Sequence, residues 1–135
     1  MILTRLNGDG PLVVVEDHEI DREVMARAHR RSLGSNELLL FHDGQAFLDY
    51  MQGHPDGTPM PAMILLDINM PGIDGFTVLQ ELRADPRFND VPTAMFYTTS
   101  NRLADKQRAS QLNASFQEKF DNAQDRVSFL NGLVA

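Results

Sequence analysis

Met63-Ile64-Leu65-Leu66-Asp67-Ile68-Asn69-Met70-Pro71-Gly72-Ile73-Asp74-Gly75 is the stretch whose reading decides the fold. Its four opening apolar residues suit a strand covered on both faces, as strands of parallel sheets are. A carboxylate, Asp67, ends the run, and turn-forming residues follow at once. Open α/β sheets bind ligands just beyond the carboxyl ends of their strands. Asp67 therefore stands where such a sheet would do its chemistry.

Two other runs end in comparable chemistry. Leu12-Val13-Val14-Val15 leads into Glu16-Asp17, and Thr93-Ala94-Met95-Phe96-Tyr97 leads into Thr98-Thr99-Ser100. Lys119 closes a short segment near the C-terminus. Strands are expected over 12–16, 37–41, 62–67, 93–98 and 114–118, with helices near 19–33, 44–53, 75–84, 103–112 and 122–134. Gly34-Ser35-Asn36 stops the first helix, Asp43-Gly44 opens the second and Asp85-Pro86 ends the third. The alternation predicts an α/β fold, a flavodoxin-like doubly wound (βα)5 whose five-stranded parallel sheet is ordered 2-1-3-4-5. Residues 1–10 read as a flexible leader and 11–135 as one domain.

The composition agrees. A chain of 135 residues with 42% hydrophobic content supports one conventional core. No cysteine is present, which excludes disulfides, thiolate metal sites and a cysteine nucleophile, and fits a cytoplasmic protein. A net charge of −7 argues against nonspecific attraction to nucleic acid or membranes. Of 12 basic residues only Lys106 and Lys119 are lysines. A compact ammonium at a suspected phosphate site differs from a guanidinium fork.

In the order 2-1-3-4-5 the first and third strands are neighbours, so Glu16, Asp17 and Asp67 converge. Carboxylates so close need a cation to neutralise them. An oxygen-rich set without thiolates suits Mg²⁺. The bland alternative makes these acids helix caps or solvated loop residues. His18, beside them, reads as an exposed helix-start residue in preference to a ligand. An aspartate held beside Mg²⁺ can attack phosphorus and become an aspartyl phosphate. Thr98 and Lys119 are the candidates for stabilising the other phosphoryl oxygens.

At these residues the chain resembles the receiver domain of two-component response regulators, from about Pro11 to the C-terminus. Val13-Val14-Val15-Glu16-Asp17 is similar to the family's acidic pair, and the stretch from Ile64 to Gly75 to its phosphoacceptor strand and loop. The resemblance implies that Asp67 is the phosphoacceptor and that Asp17 and Asp67 bind Mg²⁺ through their side chains. Glu16 would act partly through water and Asn69 through its backbone carbonyl. Thr98 would hold a phosphoryl oxygen, Lys119 would neutralise it, and Phe116 would be the aromatic switch coupled to Thr98. It further implies a sensor histidine kinase or histidine phosphotransfer protein as donor, and output or homodimerisation through the fourth helix, fifth strand and fifth helix. Such a protein is a signalling switch, not an enzyme acting on outside substrates. Glu16-Asp17-His18-Glu19-Ile20-Asp21, Thr98-Thr99-Ser100-Asn101 and Leu112-Asn113-Ala114-Ser115 are similar to single-domain regulators paired with phytochrome-type kinases.

Several features depart from that pattern or leave alternatives open. Phe120 follows Lys119 where the family usually has proline, and segment 114–119 is one residue short. The fourth strand, from Pro92 to Thr98, is one residue longer than usual, so Thr98 or Thr99 could face the pocket. In the last helix Ala123, Val127, Leu130 and Val134 form a stripe with Phe129 and Leu133 to one side: a wide buried face, or an exposed strip for dimerisation. Arg22, Arg27, Arg30 and Arg31 make the first helix basic, either as a solvated face or to meet a partner. A non-phosphorylated pseudo-receiver, acting as a binding module, is the alternative function. An aspartyl phosphatase would want an acid where Asn69 stands, and a flavodoxin a hydroxyl-rich loop after the first strand.

Overall fold

Strands that are apolar on both faces must be covered on both, and this sets the layers. The computed structural model describes residues 5–89 and 93–134. In it β1 (Leu12–Val15), β3 (Met63–Leu66) and β4 (Ala94–Thr98) are buried along their whole length. β2 (Leu38–Phe41) and β5 (Ser115–Glu118) lie at the sheet edges and are partly exposed. The sheet is parallel throughout, in the expected order β2-β1-β3-β4-β5.

Side chains of successive strand residues point to opposite faces. One set, with Val13, Val15, Ile64, Leu66, Ala94 and Phe96, packs against α2 (Gly44–Gln52), α3 (Gly75–Ala84) and Ala109 of α4 (Leu103–Gln111). The other, with Leu12, Val14, Met63, Leu65, Met95 and Tyr97, packs against α1 (Glu19–Arg31) and α5 (Ala123–Leu133). Side-chain caps start three helices: Asp43 accepts from the Ala46 amide (2.7 Å), Asp74 from Thr77 (2.8 Å) and Asn122 from Asp125 (2.8 Å). Each such cap is worth about 1 kcal/mol. None of the described helices is long and apolar enough to cross a membrane.

On α5 the face is wide and buried. Val127, Leu130 and Leu133 are buried, and Phe129 stacks on Tyr97 with centroids 5.3 Å apart. The expected stripe is corrected at both ends, because Ala123 is exposed and Leu133 replaces half-buried Val134. Leu133 turns inward because the N-terminal segment closes over it: the Leu6 amide donates to the Leu133 carbonyl (2.8 Å), and Asn7 to Ala62 (2.9 Å). Of the segment expected as a loose leader, residues 5–10 are thus held by these backbone bonds and by Asn36 Nδ2, which donates to the carbonyls of Gly8 (3.1 Å) and Gly10 (2.7 Å), and residues 1–4 lie outside the described residues.

The loop after β3 depends on two glycines. Gly72 has φ +81°, a conformation glycine adopts without steric cost. Gly75 opens α3 so close to the loop that a Cβ there would lie 2.1 Å from the Asp67 carbonyl oxygen. Gly75→Ala should therefore destabilise the fold by about 2 kcal/mol, read as a lower Tm. An unchanged Tm would show that the loop tolerates rearrangement.

Candidate functional site

The register of β1 and β3 builds the site. Val15 pairs with Leu66, so the residues that follow them, Glu16 and Asp67, leave the sheet side by side. The Asp67 amide donates to the Val15 carbonyl at 3.1 Å, and the Glu16 amide to Phe41 of β2 at 3.0 Å. Both side chains are buried in spite of their charge. Arg22, one turn into α1, donates through Nη1 to the carbonyls of Glu16 (2.8 Å) and Asp17 (2.9 Å). That guanidinium clamps the β1–α1 connection, so Arg22 is not part of a solvated basic face.

The cap reading of the acids does not hold. α1 has His18 at its N-terminal cap position and no side-chain cap. Asp17 Oδ1 is buried and accepts no hydrogen bond from any of the described residues. Asp67 Oδ1 accepts from the next amide, Ile68, at 2.8 Å. Ligand atoms of Glu16, Asp17, His18 and Asp67 lie within 4.8 Å of one another. An unpartnered, buried carboxylate oxygen among further carboxylates is the donor set a hard divalent cation uses. The residues present fit such an ion.

Lys119 reaches the cluster from the far side of the sheet. Its amide donates to the Thr98 carbonyl at 2.7 Å, extending the pairing of β5 with β4. Its ammonium is hydrogen-bonded to Glu16, stands 2.9 Å from Asp21 Oδ2 and 3.4 Å from Asp67 Oδ2. In the sequence Asp21 carries no site role and stands out only as the last residue of the Glu16–Asp21 motif, in the first turn of the helix that leaves the pocket.

Burial pushes the Glu16 carboxyl up to about 7, against the bond from Lys119 and with help from the Asp67 charge. Burial alone would lower the Lys119 ammonium. The hydrogen bonds to Glu16 and Asp21, with the charge of Asp67, outweigh it and hold Lys119 above the usual lysine range. The lysine thus stays charged throughout the neutral range, within which the Glu16 carboxyl titrates.

Thr98 is fully buried and Thr99 is exposed, so the longer strand does not slip. Thr98 Oγ1 accepts from the Ser100 amide at 3.3 Å. Phe116, half-buried on β5, is level with Phe96 and lies 6.0 Å from the Lys106 ammonium. Asn69 is exposed in the loop after β3. Phe120 is held by aromatic packing, its ring 5.5 Å from Phe129 and 6.5 Å from Tyr97. Its amide points to the Tyr97 hydroxyl at 3.5 Å, a bond that proline could not donate.

Comparison with known sequences gives this arrangement a family. The family model described as response regulator receiver domain matches residues 12–117. The chain belongs to this family. As a receiver it is 29% identical to the response regulator Rcp1 of Synechocystis sp. (strain ATCC 27184 / PCC 6803 / Kazusa), over 90% of this chain and 84% of that one. It superposes on the Mn²⁺-bound form of Rcp1 with a TM-score of 0.76 and 27% identity, covering 93% and 91% of the two chains. The phosphorylated cyanobacterial phytochrome response regulator RcpA gives a TM-score of 0.78 at 25% identity, covering 93% and 91%. RPA3017, a response regulator in red light signalling of R. palustris, gives 0.78 at 30% identity, covering 91% and 90%. The receiver match ends at residue 117, two residues before Lys119.

Proposed function

We propose that this receiver accepts a phosphoryl group on Asp67 from a histidine kinase or histidine phosphotransfer protein, with Mg²⁺ at the acid cluster. The observation that carries the reading is the pairing of the buried Asp67 carboxylate with Lys119 at 3.4 Å. Asp67 Oδ2 forms the new O–P bond as the donor's N–P bond breaks, and the donor imidazole leaves with the electron pair. Lys119 draws off charge from the phosphoryl oxygens, and the Thr98 hydroxyl hydrogen-bonds one of them. Glu16, Asp17 and Asp67 would hold the metal, with the Asn69 carbonyl; when bound, the metal neutralises charge building on the phosphoryl group. Likeness to RcpA supports a phytochrome-type kinase as the donor.

Output, in this reading, runs from Thr98 through Phe116 to the face of α4, β5 and α5, which meets a partner or a second copy of the chain. Beryllofluoride with Mg²⁺, a mimic of the phosphoryl group, should shift amide resonances along that path and change the hydrodynamic mass if a dimer forms. No shift in the pocket would favour a binding-only pseudo-receiver.

Glu16 gives a pH test. Its folded value of about 7 lies above the ordinary 4.5. Its stabilising contribution is therefore complete below 4.5 and is lost as pH rises through about 7, when the buried carboxylate ionises. Mg²⁺ should offset that loss. Thermal denaturation should show Mg²⁺ raising Tm clearly at about pH 8 and little at about pH 5. An equal effect at both values would remove Glu16 from the metal set.

A further inference from the structure

The His18 imidazole stands over the acid cluster with no part in the reading above. Its Nδ1 is 3.4 Å from Glu16 Oε2, 3.6 Å from Asp17 Oδ1 and 3.7 Å from Asp21 Oδ2. Each separation exceeds an N–H···O hydrogen bond. They are, however, separations found between ligands of one ion. Ligands held at about 2.1 Å stand about 3 Å apart when adjacent in an octahedron and about 4.2 Å apart when opposite. Asp17 Oδ1, one of the three oxygens, is the buried atom that accepts no hydrogen bond among the described residues. A ring nitrogen and an unpartnered carboxylate oxygen thus lie side by side, close to Glu16 and Asp67.

We propose that His18 supplies Nδ1 as a ligand to the cation at Glu16, Asp17 and Asp67, and tilts that site toward borderline cations such as Mn²⁺, Co²⁺ and Zn²⁺. The inference rests on the reading that these acids hold a divalent cation. Imidazole is a natural ligand for transition metals, whereas carboxylate, carbonyl and water suffice for Mg²⁺. His18 therefore changes the order of affinities without being required for Mg²⁺. Its placement is fixed by the chain: the His18 amide donates to Glu16 Oε2 at 3.1 Å, and its backbone is extended at the start of α1. The side chain is 67% exposed, so removing it leaves the core untouched.

Calorimetric titration of the full chain with Co²⁺ alone and with Mg²⁺ alone tests this in wild type and His18→Ala. The variant should lose about tenfold or more in Co²⁺ affinity and change less than about twofold for Mg²⁺. The Co²⁺-loaded wild type should also show a hyperfine-shifted, exchangeable imidazole N–H resonance that the variant lacks. Equal losses for both cations, or no loss for Co²⁺, would overturn the role of His18 while leaving the acid site standing. Failure of the wild type to bind either cation would overturn the acid site itself, and this inference with it.

Discussion

Asp67→Asn should abolish labelling by a small acyl phosphate in the presence of Mg²⁺, slowing incorporation by at least about 1000-fold. The amide keeps the volume of the carboxylate but has no anionic oxygen with which to attack phosphorus. The fold should survive, because the neighbouring Glu16 then loses a like charge that helps to raise its pKa. The Glu16 carboxyl should titrate below about 7 in the variant, and the metal-free protein should be more stable near pH 8 than wild type. Radiolabel incorporation checks the first outcome and denaturation the second. Labelling at the wild-type rate would move the phosphoacceptor elsewhere.

Lys119→Met should have the second largest effect, on both stability and phosphoryl transfer. The ammonium is almost fully enclosed and faces Glu16, Asp21 and Asp67. Removing one partner of a buried charge cluster leaves the others uncompensated, at a cost of about 3 kcal/mol or more. The Lys119 pKa is raised, so its stabilising contribution is complete below the ordinary lysine value and is lost only at strongly alkaline pH. Lys119 also holds the Glu16 pKa down, so in the variant Glu16 should take up its proton above about 7 and the deficit should shrink as pH falls toward that value. Mg²⁺ should restore part of the stability near pH 8 but not the rate of phosphorylation, because the cation facing the phosphoryl oxygens stays missing. A variant as stable as wild type at pH 8 would mean that the acids are solvated.

The central strands and the acids were legible because their signals are local. Val13 to Asp17 and Ile64 to Asp67 each pair an uninterrupted apolar run with a carboxylate, and parallel packing brings the two ends together. Thr98 could not be told from Thr99 by pattern, since β4 is buried on both faces and alternation leaves no trace in its composition. Alternate packing onto the two cores separates them in space, with Phe96 on one side and Tyr97 on the other. Asp21 was hidden for another reason. Its partner Lys119 is 98 residues away, and only the assembled sheet brings that strand end over the first turn of α1. The α5 stripe was misplaced at Ala123 and Val134 because its inner surface is set by Tyr97, Phe120 and the Leu6 segment, not by helical period alone. Phe120 was seen as a departure, but its replacement for proline, an aromatic contact with an amide aimed at Tyr97, depends on residues from three elements.

The residue on which a phosphoryl group lands decides the function. Wild-type protein incubated with a small acyl phosphate and Mg²⁺, then reduced with borohydride, converts any aspartyl phosphate to homoserine at the modified position. Peptide sequencing should find homoserine at Asp67 alone, and none in Asp67→Asn. Homoserine at Asp17 or Asp21, or no conversion anywhere in a protein that remains folded, would contradict the assignment of Asp67 as the phosphoacceptor.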